Sequence, residues 1–102
     1  KGKHVPVINI TTFAKRMGLR YRRVVVTEPL WQALVALTRS NVSFHDVLTN
    51  MLSTLARTIK QVGSEHCHLV GVDYPERTLS VSVRFEKKQL FLDLIPHVRH
   101  DR

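Results

Sequence analysis

The chain has 102 residues, 43% hydrophobic and 24% charged, and a formal net charge of +8. That composition excludes a disordered segment, and the length holds one small domain or two very small modules. No apolar run approaches the roughly 18 residues a membrane span needs, and no signal-peptide pattern is present.

The charge is concentrated at the front. Residues 1–23 hold Lys1, Lys3, Lys15, Arg16, Arg20, Arg22 and Arg23 and no acidic residue, whereas residues 24–102 hold nine Lys/Arg against eight Asp/Glu. A local block of this kind predicts a polyanionic partner, since Lys and Arg bind phosphates with release of counterions. The chain starts at Lys1 rather than Met, which predicts a piece trimmed from a longer protein. Residues 1–20 read as a basic arm. Within it Val7 to Ile10 is a short apolar run, a strand or a partner contact. Thr11 to Leu19 allows one or two helical turns, with Thr11 or Thr12 as N-cap and Gly18 as the stop.

Tyr21 to Thr27 is rich in β-branched residues and predicts a strand. Alternation sets Tyr21, Arg23 and Val25 on an outward face and Val24 and Val26 on a buried one. Thr27 reads as an N-cap, with Glu28 and Pro29 in the first turn of a helix running to about Arg39. Trp31 reads as core. Ser43 caps a second helix, with Asp46 three residues on. There Phe44, Val47, Leu48, Met51, Leu52, Leu55, Ala56 and Ile59 hold helical spacing for more than four turns. So wide a stripe is more than one short helix covers, and it hints at dimerisation.

After Gly63 the pattern changes to period two. Strands are expected from Cys67 to Tyr74, from Leu79 to Phe85 and from Gln89 to Ile95, with a charged turn at Glu86-Lys87-Lys88 between the last two. Residues 66–97 thus read as a three-stranded antiparallel meander that serves dimer or partner contact. Cys67 is the one cysteine, which rules out an intrachain disulfide and predicts a reducing, cytoplasmic setting. His66-Cys67-His68 cannot converge on one ion, because neighbours in a strand point to opposite faces. No metal site, no cofactor and no enzyme are expected: phosphate loops, paired carboxylates and nucleophile triads have no recognisable context here.

The run from Arg22 to Leu30, with Trp31 to Arg39 and Asn41 to Leu48, resembles the ribbon-helix-helix family of DNA-binding proteins (Arc, MetJ and CopG-like). The resemblance covers residues 21–61. It implies an α+β fold: a dimeric strand–helix–helix module over 21–62, then the meander. Two chains would pair their 21–27 strands and insert the two-stranded ribbon in the major groove. Tyr21, Arg23 and Val25 would face the bases, Arg23 bidentate to guanine and Val25 on a thymine methyl. Ser43 and Phe44, at a helix N-terminus, would clamp a phosphate, with His45 beside them and Lys15, Arg16, Arg20 and Arg22 on the flanking backbone. The implied function is a sequence-specific regulator of transcription acting on double-stranded DNA as a homodimer or higher-order assembly, cytoplasmic and nucleoid-associated. Two alternatives stand beside it. Phe13 to Val24 also resembles a helix-turn-helix, which needs residues 20–27 to be helical. A basic arm with a meander also suits an assembly module that docks on RNA or a protein.

Overall fold

The computed structural model describes residues 6–39, 41–62, 68–75 and 77–95. In chain order these form β1 (Val7–Asn9), α1 (Thr11–Arg16), β2 (Arg23–Thr27), α2 (Glu28–Ala36), α3 (Phe44–Val62), β3 (His68–Asp73), β4 (Thr78–Glu86) and β5 (Gln89–Leu94). The fold is α+β, with one five-stranded mixed sheet in the order β1-β2-β5-β4-β3. β2 runs parallel to β5, and every other neighbouring pair is antiparallel. A parallel pair needs a long crossover, and here α2, α3 and the β3–β4 hairpin supply it.

This differs from a strand–helix–helix module followed by a meander of its own. β2 does not stand apart. β1 takes Val25–Thr27 along one edge, and β5 takes Arg23–Val26 along the other. The β1 side is completed at Val24, whose carbonyl accepts from Ile10 N–H and whose N–H donates to Thr11 Oγ, both at 2.9 Å. The reason lies in the three valines. Val24, Val25 and Val26 are all buried, and a continuous apolar run is the pattern of an interior strand. The segments 1–20, 21–62 and 66–97 therefore contribute β1, β2 and β3–β5 to one sheet.

All three helices lie on one face of that sheet. Leu79, Val81 and Val83 of β4 alternate with more exposed neighbours, so the odd positions point to the helices. They join Val24, Val26, Val70, Val72, Leu90 and Leu92 from the other strands. From the helices come Ala14, Leu30, Leu34, Val47, Met51, Leu52 and Leu55. The central part of the α3 stripe, Val47, Leu48, Met51, Leu52 and Leu55, is thus covered within the chain's own core and is not a free face for a dimer contact, while Phe44, Ala56 and Ile59 stay half-buried. The opposite sheet face carries no described helix. No described helix is long and apolar enough to cross a membrane.

Local chemistry decides the ends. Ser43 Oγ accepts Asp46 N–H at 3.1 Å and caps α3 as its position predicts. Gly18 stops α1 with φ at +92°, a conformation that suits glycine. Neither Thr11 nor Thr12 is the α1 N-cap; Ile10 occupies that place. Asn9 Oδ1 accepts both the N–H and the hydroxyl of Thr11. Thr27 holds the α2 N-cap position, yet its hydroxyl makes no cap and donates to Asp93 Oδ1 at 2.7 Å.

Candidate nucleic-acid interface

The strand directions gather charge at one end of the sheet. β2 and β5 begin side by side, with Arg23 opposite Gln89. The loop before β2 and the β4–β5 turn are therefore neighbours, and Arg22 N–H donates to the Lys88 carbonyl at 2.8 Å. Lys15, Arg20 and Arg22 line one shallow depression of about 520 Å³ with Tyr21. Arg20 and Tyr21 also line the adjoining groove, of about 640 Å³, whose far wall is Arg57 and Lys60 from the last turns of α3. No described acidic residue lines either one. Apolar Met17, Leu19 and Ile59 form part of the groove wall.

The β4–β5 turn adds Lys87 and Lys88. Glu86 pairs with Gln89, so these two lysines are the whole loop, and their φ values are +50° and +64°. A two-residue turn with both φ positive favours Asn-Gly or Gly-Gly, because a Cβ is disfavoured there. Two lysines in those places cost stability. Strain of this kind gathers at functional positions, and here it holds two cations beside Arg22.

The residues expected to touch DNA divide into two groups. In the first, Lys15, Arg20 and Arg22 come together as described, and Arg23 is exposed at the start of β2. Tyr21 is half-buried, its ring 5.7 Å from that of Phe85. Val25 is 1% exposed, between Asn9 and Phe91 in register; it offers no surface to a thymine methyl, so its place among base contacts is corrected. The second group sits elsewhere. Arg16 lines a different pocket with Phe13, Trp31 and Leu48. Ser43, Phe44 and His45 lie at the other end of α3, about 24 Å along the axis from Lys60 at 1.5 Å per residue. Phe44 packs on Trp31 at 4.7 Å, and His45 meets the edge of Phe13 at 5.3 Å. Asp46 stands in that first turn and already occupies the positive helix end, which disfavours a phosphate there. Sequence reasoning missed four further cations at the site: Arg57, Lys60, Lys87 and Lys88. The doubled lysine in a turn was visible, but only the β2–β5 pairing brings it to Arg22.

No described group of three His, Cys, Asp or Glu residues is placed to hold a metal ion; His66 and Cys67 lie outside the described residues. No protein-family model, curated protein or solved structure matches the chain.

Proposed function

We propose that the chain is a nucleic-acid-binding module that holds a phosphate backbone on its cationic end. The observation that carries this reading is the meeting of Lys15, Arg20, Arg22, Arg57 and Lys60 from three separate segments around two adjoining depressions whose described lining holds no acidic residue. Lys87 and Lys88 extend the same surface. Phosphate contacts of this sort give affinity and orientation rather than sequence reading.

Regulation of transcription on duplex DNA is the output toward which the strand–helix–helix pattern points. Insertion of a β2 ribbon in the major groove is not part of the proposal, because the edges of β2 are occupied. The helix-turn-helix alternative loses support for a similar reason: residues 23–27 are strand, not helix. A homodimer acting on a two-fold site is compatible with the cationic end, and its contact surface would lie away from β2.

The test is a titration of a fluorescent 20-bp duplex and a 20-nucleotide strand across 50–300 mM salt. Affinity should fall steeply, with log K against log salt sloping at roughly −0.9 per neutralised phosphate on the duplex and about −0.7 on the strand. Arg57→Ala and Lys60→Ala should each flatten that slope by about one with the melting temperature nearly unchanged. Salt-independent binding, or slopes that both substitutions leave alone, would refute the assignment.

A further inference from the structure

The sheet face away from the helices carries a second chemistry. Its central residue is Phe91, half-buried on β5 beside Val25, with the Arg84 guanidinium carbon 5.2 Å from the ring centroid. Phe91 and Arg84 form one side of a pocket of about 380 Å³ completed by Val7, Thr27, Ser82 and Asp93. That volume is toward the small end of the range for ligand pockets, about 300–1,000 Å³, and leaves room for one base and its sugar.

The wall is mixed in a way that suits a base rather than a phosphate. Phe91 and Val7 are apolar. Asp93 would repel an anion. One of its oxygens is held by the Thr27 hydroxyl and by Leu94 N–H, and the other, bonded to no described residue, can accept from a base N–H. Arg84 is exposed and forms no ion pair with a described residue. Its guanidinium stands 5.2 Å from the ring centroid, too close to admit a base between them. The exposed Arg84 side chain must therefore swing outward for a base to stack on Phe91, and it can then cover the base's other face.

The pocket also adjoins the charge. Phe91 is two residues, about 7 Å, along β5 from Gln89, which pairs with Arg23 at the cationic end. Arg23 and Phe91 belong to the same sheet face, since residues two apart on a strand share a side. A backbone on Lys87, Lys88 and Arg23 can thus place the following base on Phe91. A duplex cannot do so, because its bases are stacked on both faces and paired. Single strands can splay a base onto an aromatic side chain of a sheet.

We infer that the sheet face away from the described helices binds single-stranded nucleic acid, DNA or RNA, by stacking one base on Phe91 in the place the Arg84 guanidinium now holds, with Arg84 closing over it. This rests on the proposed phosphate contacts at the cationic end, and the experiment separates the two. Wild type, Phe91→Leu and Phe91→Tyr are titrated with 12-nucleotide DNA and RNA strands and with a 12-bp duplex at about 150 mM salt. One adenine of each strand is replaced by 2-aminopurine, whose fluorescence is quenched by stacking. Leu keeps an apolar, foldable β5 and removes the ring; Tyr keeps the ring.

The expected result is tighter binding of at least one strand than of the duplex. Phe91→Leu should lose roughly five- to a hundredfold on that strand, relieve the quenching and leave the salt slope and duplex affinity unchanged. Phe91→Tyr should behave as wild type. Strand binding that keeps its salt slope but is indifferent to Phe91→Leu overturns the stacking site and spares the cationic end. A dimer that Phe91→Leu dissociates, with strand affinity intact, assigns the face to a second copy instead. No binding of strand or duplex overturns both readings.

Discussion

Tyr74 ties the first half of α3 to the end of β3. Its hydroxyl donates to the Val47 carbonyl at 2.7 Å, while Asn50 Nδ2 donates to the Asp73 carbonyl next door. Burial pushes the Tyr74 phenol up to about 12, against a smaller opposing effect of the Asn50 side chain. A folded-state pKa above the unfolded 10 means the folded chain holds that proton more tightly. The stabilisation is complete below about pH 10 and is lost as pH climbs toward 12. Tyr74→Phe should cost about 1 kcal/mol at pH 7 through the lost hydrogen bond. It should also flatten the fall in stability between about pH 10 and 12, read by chemical denaturation of both proteins across that range. Equal slopes in both would mean that another group titrates. Some of these single-residue roles were legible and others were not. Ser43 stands three residues before Asp46, so its cap is a local fact. Thr27 stands equally well before Glu28 and Pro29. Its hydroxyl goes to Asp93, 66 positions away, which no local pattern reveals.

The β4–β5 turn is an element whose sequence and geometry conflict. Lys87 and Lys88 adopt positive φ with no glycine or asparagine to ease it. Residues held so cost of order 1–3 kcal/mol each. Replacing the pair by asparagine and glycine, as Lys87→Asn with Lys88→Gly, should therefore raise the melting temperature. The same change removes two cations beside Arg22, so nucleic-acid affinity should fall and the salt slope should flatten. Thermal melts and the duplex titration on one preparation would read both. A turn that gains stability and loses no affinity would leave the lysines without a role in binding. At this scale the strands and helices were largely legible, because period two and period 3.6 are local. α3 follows its stripe, with Val47, Leu48, Met51, Leu52 and Leu55 buried as spaced. The neighbours of β2 were not. Three valines in a row signal burial on both faces, but they do not name the strands alongside.

At the scale of the molecule, the pairing of β2 with β5 decides both stability and site. It joins the first half of the chain to the last, and it brings Lys87 and Lys88 to the basic block that composition alone had placed at residues 1–23. A fragment of residues 21–62 tests that dependence. In the whole chain Val24 and Val26 pack with Leu90 and Leu92, and the α3 stripe packs with Val70, Val72, Val81 and Val83. The fragment loses all of these partners along with β1. What remains is one strand and two helices whose apolar faces have too little surface to cover them, and a domain this small buries too little area to offset its conformational entropy. It should show no cooperative thermal transition at any concentration, whereas residues 1–102 should melt in a single two-state step. The ribbon pairing predicts the reverse. Two fragments would then join their 21–27 strands and fold as a dimer, with a melting temperature that rises with concentration. Circular dichroism melts over a hundredfold range of fragment concentration distinguish the outcomes. A concentration-dependent transition would return β2 to the role of an intermolecular ribbon and open its outer face to DNA; its absence would leave the strand as the internal bridge on which the cationic end is built.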